Sequence, residues 1–472
     1  MKNRLIKAAP LLLITTLTFT GCAATGTQST SSQTTITQTS SADSTASDSS
    51  STDSSSSDTQ SADALTATTV SADETDSTEN EHFSDRDLSG DYDEAAATAI
   101  TLNGDSASAD SDSVTIDGST VTITAEGTYI LTGTLNNGSI IVNAPDDAKV
   151  QLVLNGVTIN SDTFAAIYVA QADKVFVTLA GGTSNNLSNG GTFTLIDDSN
   201  VDGVVFAKDD ITFNGTGSLT ISSPAGHGIV GKDDVTITGG TYDITSSGTA
   251  IKANDNLDIA DGTFNLSPGT DGLHAENNDD DTLGAVYIAG GSFTINAGDD
   301  GIHATTTLTI DSGTYTISAV EALESTVITI NDGDINIEAS DDGINAAQKS
   351  SISTPLITFN GGTTTIVMGS GDTDGVDSNG DIVVNGGTID VTGNSTFDYD
   401  GTGTINGGTV ICNGEEVTEL PNQMMGGGMG GQGGPGNMDG QGGPGNMGGQ
   451  GGFGGDSGNA PGGMSAPDAA GV

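Results

Sequence analysis

The sequence is poor in cysteine, in aromatic residues and in positive charge, and it has no tryptophan. Its two cysteines, Cys22 and Cys412, stand in unlike surroundings, so they suggest no disulfide framework. Cys412 reads as a small buried apolar residue. Aromatics are 4% of the chain, which leaves no flat stacking platform for crystalline glucan, although Tyr242, Tyr287 and Tyr315 leave some ring stacking open. Lys+Arg total 10 against 63 Asp+Glu, a formal charge of −53. Nucleic-acid binding is excluded, because phosphate contacts need clustered Lys/Arg. Binding to an anionic membrane surface through a basic patch is excluded on the same ground. A chain this acidic draws cations, and outside a cell calcium is foremost. No helical periodicity appears in the middle of the chain, and the apolar run from Ala8 to Phe19 is too short for a permanent membrane span.

The two ends do not read as folded. Residues 1–21 form a secretory leader: Lys2, Arg4 and Lys7 precede the apolar run. It ends in Phe19-Thr20-Gly21-Cys22, which resembles a bacterial lipoprotein box with Phe19 where Leu is usual. That resemblance implies lipidation of Cys22 and a protein anchored to the outer side of the cell membrane. Residues 22–82 are mostly Ser, Thr, Asp, Gln and Ala, too polar to offset chain entropy, and are expected to be a disordered tether. His82 closes that segment and is assigned no role. From 424 to 472 glycine dominates, Gly-Gln-Gly-Gly-Pro-Gly-Asn-Met occurs twice (431–438 and 440–447), and six of the eight methionines lie here. Met thioethers suit Cu(I), but the composition is that of a flexible tail.

Between them, residues 83–423 carry a repeat. Gly-Thr/Ser-aromatic-x-aliphatic appears at Gly240, Gly262, Gly291 and Gly313, with weaker copies at Gly333, Gly362, Gly387 and Gly408, at steps of 20 to 29 residues. A second phrase, acidic-Gly-aliphatic-polar-small, falls between these copies, and a short alternating run such as Leu308-Thr309-Ile310 precedes each Gly pair. Three short strands per period predict an all-β solenoid, a right-handed parallel β-helix of roughly 12–14 coils. The longer steps contain insertions at 277–284 and 347–355, expected to bulge as loops.

In a solenoid, equivalent positions of successive coils become neighbours about 4.8 Å apart. Two positions before the aliphatic residue of the second phrase stand Asp271, Asp300, Glu321, Asp342 and Asp374; one position after it stand Lys252, His274, His303, Glu324, Asn345 and Asp377. Asp299 and Asp341 flank the first column. Carboxylates stacked so closely disfavour ionisation unless a cation neutralises them. Oxygens from two or three coils supply the contacts that Ca²⁺ prefers, so Asp271, Asp299, Asp300, Glu321, Glu324, Asp341, Asp342, Asp374 and Asp377 are candidate calcium ligands. The alternative is a solvated acidic ridge of Asp-Gly turns. His274 and His303 stack one coil apart and are candidates for contact with sugar, as is Lys252. Two histidines alone do not make a zinc site.

At these phrases the chain resembles the bacterial surface family of carbohydrate-binding domain-containing proteins, whose fold is similar to that of calcium-dependent pectate lyases. The resemblance rests on Asp300-Gly301-Ile302-His303-Ala304, Asp342-Gly343-Ile344-Asn345-Ala346, the Gly-Gly-Thr-Phe/Tyr strands and the Gly/Met tail. The lyases' Asp-Asp-Gly-x-Asp calcium motif is matched by Asp341-Asp342-Gly343-Ile344-Asn345 and by Asp299-Asp300-Gly301-Ile302-His303 except at the last position. Thr373-Asp374-Gly375-Val376-Asp377 keeps the last Asp and loses the first. Such lyases also need a base, and Lys252 is the weak candidate here.

Three functions remain open at this point. The favoured one is non-catalytic, calcium-assisted binding of acidic polysaccharide, polyuronate above all, with no catalytic residue. The others are a structural adhesin or spacer without a glycan ligand, and a calcium-dependent polysaccharide lyase. A monomer is the expected state.

Overall fold

The computed structural model describes residues 82–422, apart from 197–198 and 371–372. The expected leader, Cys22, most of the tether and the 424–472 tail lie outside the described residues. Within them the chain is a parallel β-helix. Each coil contributes three short strands, because Gly, Asn and Asp interrupt every run of alternating β-branched residues. Successive coils pair in register and in parallel: Ile237, Ile259, Ile288, Ile310, Ile330, Phe359 and Val384 lie one above another, all buried. Strand alternation sends every second side chain into this shared core.

One of the three strand stacks is a sheet of thirteen strands, the first of which is antiparallel, leaving twelve parallel rungs. The other two stacks part from a single strand. Lys149–Ser161 is long enough to pair with Lys174–Leu179 through its first half and with Ser184–Asn189 through its second. Both ends are closed by antiparallel hairpins, Thr98–Gly104 with Ala107–Ala109 and Thr409–Cys412 with Glu415–Val417. These hairpins cap a stack that would otherwise expose a pairing edge.

The repeated glycine has a geometric cause. Gly240, Gly262, Gly291, Gly313, Gly333, Gly362, Gly387 and Gly408 all have φ between 74° and 149°, a region that side chains rarely adopt. The aromatic residue two places on turns inward, and Tyr242, Phe264, Phe293 and Tyr315 stack at centroid spacings of 5.0, 4.6 and 4.8 Å with their planes within 8°. Asparagines ladder along a corner: Asn360 donates to Asn331, Asn385 to Asn360 and Asn406 to Asn385, at 2.7, 2.8 and 2.9 Å. The insertions at 277–284 and 347–355 touch each other, Ser351 N donating to Asp281 Oδ2 at 3.0 Å.

The strand stack of Lys174–Leu179 and Asp210–Gly215 is crossed by the segment before the first coil. Its one-turn helix, Asp85–Leu88, is capped by Ser84. Asp87 is buried, 2.7 Å from Lys174 Nζ, and accepts from Thr212 Oγ1 at 2.6 Å. Arg86 lies 4.4 Å over the Phe176 ring. His82 has a partner as well: its ring stacks on Tyr287 at 3.6 Å.

Candidate binding face and metal ligands

The thirteen-stranded sheet carries the acidic phrase. Its short strands, Leu273–Ala275, Ile302–Ala304, Leu323–Ser325, Ile344–Ala346 and Asp374–Ser378, pair in register. The residue after the buried aliphatic of each strand points away from the core and forms a ladder that continues in both directions. In order it reads Tyr168, Phe206, Val230, Lys252, His274, His303, Glu324, Asn345, Asp377 and Asp398. One sheet face thus runs from aromatic, through basic, to acidic.

The second ladder stands beside it. Backbone bonds from Ala250 to Asp271, Gly272 to Asp300, Gly301 to Glu321, Ala322 to Asp342 and Gly343 to Asp374 stack these acids coil on coil. The Asp-Gly pairs are not turns, contrary to the ridge alternative. A Cβ on Gly272, Gly301 or Gly343 would meet a carbonyl oxygen of the next coil at 2.5, 2.5 or 2.4 Å. The small residue lets two coils close, and Ala322 fills the same place on the Glu321 rung. The acids that precede it are drawn partly out of solvent, Asp271 and Asp300 being 8% exposed.

The expected column is electrostatically two sets. In the first, the protein supplies its own cations. Asp271 Oδ2 lies 2.9 Å from His274 Nδ1, an electrostatic contact in which Nδ1 is off the line of a hydrogen bond. Burial opposes ionisation of Asp271, but the His274 imidazole outweighs it and lowers the pKa. One coil on, His303 Nδ1 lies 2.9 Å from Asp300 Oδ2 and 2.7 Å from Glu324 Oε2, and Lys349 pairs with Glu324 Oε1. Burial works against the His303 charge, but the two carboxylates prevail and hold its pKa at about 9. Burial also opposes the Glu324 charge, yet His303 and Lys349 bring its pKa down to about 2. Asp300, which Lys349 does not reach, is raised by burial and by the Glu324 charge in spite of His303.

In the second set, Glu321, Asp342, Asp374 and Asp377, no basic side chain among the described residues forms an ion pair with a carboxylate. Burial, then the Glu324 charge, raises Glu321 to about 7. Burial, with Asp341 and Asp374 nearby, raises Asp342 to about 6. Burial, with Asp342, Asp374, Asp398 and Asp400 nearby, raises Asp377 to about 7. Two neutral oxygens join them. Asn345 Nδ2 donates to Glu321 Oε2 at 3.0 Å, while among the described residues its buried Oδ1 has no hydrogen-bond partner and neither has the buried Thr373 Oγ1. These are hard oxygen donors short of positive charge, which fits Ca²⁺. Asp299 and Asp341 are exposed, outside both ladders. Asn345 was readable as the residue ending Asp341-Asp342-Gly343-Ile344-Asn345; Lys349, in an insertion of no repeat register, gave no signal.

Lys252 lies four rungs from Asn345 in the outward ladder, about 19 Å at the spacing between strands. An ion among the uncompensated acids would therefore lie several strands from a base at Lys252.

The model of a family described as carbohydrate-binding domain-containing protein matches residues 117–372. The chain belongs to that family. The match takes in the paired set and Glu321, Asp342 and Asn345, and ends just before Asp374. A family relative from Acetivibrio thermocellus, described in the same words, is 36% identical over 126 residues, 26% of this chain and 44% of the relative. The aligned stretch therefore spans less than half the length of that relative. A solved structure, that of a polysaccharide lyase-like protein from C. thermocellum in a gadolinium derivative, aligns with 52% of this chain and 95% of its own at 29% identity and a TM-score of 0.46.

Proposed function

We propose that this carbohydrate-binding protein holds acidic polysaccharide, without cleaving it, along the outward face of the thirteen-stranded sheet, and that Ca²⁺ joins the two. Glu321, Asp342, Asn345, Asp374 and Asp377 would hold the ion. The observation that carries this reading is the set of half-buried carboxylates without a basic partner, beside the orphaned amide oxygen of Asn345. A chain of net charge −53 repels a polyuronate, and a shared divalent cation turns that repulsion into attraction by accepting carboxylates from both sides. His274 and Lys252, three and four rungs along the same outward ladder, offer donors for other carboxylates of the same polysaccharide chain. Lipidation at Cys22 would tether the molecule to the outer side of the membrane, with the polar 22–82 segment as spacer.

Electrophoresis of the full chain through gels containing polygalacturonate tests this reading. Retardation is expected with Ca²⁺, is lost with chelator, and is lost in Asp377→Asn. Equal mobility in all conditions would sink the polyuronate reading, and unsaturated product absorbing in the ultraviolet would overturn the non-catalytic one.

A further inference from the structure

We infer that Asp300, His303 and Glu324 form a separate site for one divalent transition-metal ion. The three side chains are 8%, 9% and 6% exposed, come from two adjacent coils, and bring one nitrogen and two carboxylate oxygens within 4.8 Å of one another. His303 Nδ1 faces both carboxylates, at 2.9 and 2.7 Å. A single N–H lies along one line and serves one of them well. A tetrahedral ion with metal–ligand bonds of about 2.0 Å sets its ligands about 3.3 Å apart, so these three atoms need to open by only about half an ångström to surround one. The donor set of one imidazole and two carboxylates is that of zinc and its neighbours in the first transition row. Calcium prefers an all-oxygen set, such as the one at Glu321 to Asp377. Lys349 occupies Glu324 Oε1 and leaves Oε2, the atom beside His303, as the ligand. That is the outer partner which fixes a metal-ligating carboxylate.

The preceding coil is an internal control. Asp271-Gly272-Leu273-His274 repeats Asp300-Gly301-Ile302-His303, and the two imidazoles stack at 4.5 Å with planes 9° apart. His274 Nδ1 has Asp271 at 2.9 Å, but the next outward residue along the ladder is His303, not a carboxylate. Only His303 has an acid above as well as beside it, so one of two nearly identical rungs is completed. The site stands whether or not the all-oxygen set binds calcium.

Metal-stripped full chain, kept in excess Ca²⁺, is titrated with Zn²⁺ by equilibrium dialysis, and in parallel with Co²⁺, whose visible spectrum reports imidazole ligation. The expected result is one Zn²⁺ per chain that calcium does not displace. His303→Gln and Glu324→Gln should each weaken it by more than about 100-fold, beyond the 10–100-fold of an outer partner, whereas His274→Gln keeps the site. Asp377→Asn should lose the calcium response and keep the zinc. Undiminished zinc affinity in His303→Gln, displacement by calcium, or no stoichiometric uptake would overturn the inference. Circular dichroism of each variant identifies any that fail to fold, and the wild-type Co²⁺ spectrum decides the matter without a variant.

Discussion

The ionisable residues of the binding face respond to pH in a definite direction. In the metal-free protein Glu321 and Asp377 keep protons to about pH 7 and Asp342 to about pH 6, where the unfolded chain has already released them. Between roughly pH 4 and 7 the native state therefore binds more protons than the unfolded one, and stability falls as pH rises. His303 has the same sign over a higher window. Holding its proton to about pH 9 rather than 6.5 contributes about 3 kcal/mol at most, present below 6.5 and lost as pH rises through 9. Glu324 acts oppositely: its pKa of about 2 gives stability that is present above the usual carboxylate range and lost below it. Thermal melts of metal-free protein should thus peak near pH 4 and decline steadily to pH 9; a flat or rising profile above pH 4 would contradict the assignment. Asn345→Ala tests the neutral ligand. It removes the only side chain among the described residues that donates to Glu321, so calcium affinity should fall while the zinc response of His303 is unchanged in the same titrations.

At the scale of elements, the repeat phrases were legible because each coil must solve the same problem. The glycine steps mark positive-φ corners, the aromatic two places on fills the same core layer, and the acid phrase marks one sheet. What the phrases do not carry is anything outside the repeat. The segment around Asp87 has no periodicity, yet it is fastened across three successive coils through Lys174, Thr212, Asn214 and Thr238. Lys349 is equally invisible, since only folding brings an insertion back to Glu324. Two substitutions separate these kinds of element. Phe293→Ala opens a cavity in the middle of the aromatic stack and should cost about 3–5 kcal/mol in denaturant unfolding. Asp87→Ala leaves Lys174 without its buried partner, a loss of about 3–5 kcal/mol if the strap unfolds only with the coils. Early proteolytic cleavage near Asp87 in that variant, with the coils still resistant, would instead mean that the strap unfolds alone.

For the whole molecule, the solenoid sums nearest-neighbour contacts, so a cation that links adjacent coils in mid-stack acts on the entire array. The net charge of −53 destabilises the compact state by self-repulsion, and any salt relieves part of that by screening. A calcium effect is therefore meaningful only beyond ionic strength. Melts at pH 8 and equal ionic strength should rank sodium and magnesium together and calcium well above them, because Mg²⁺ demands a tighter octahedron than ligands spread over several coils provide. At a calcium concentration of about 100 times Kd the added stability is about 2.7 kcal/mol. Asp377→Asn should erase that increment and leave the sodium response intact, because a neutral amide lowers the ligand charge without altering the screening of the remaining acids. Equal shifts from all three cations would mean that the face is an acidic ridge screened by salt, and the calcium bridge to polysaccharide would fall with it.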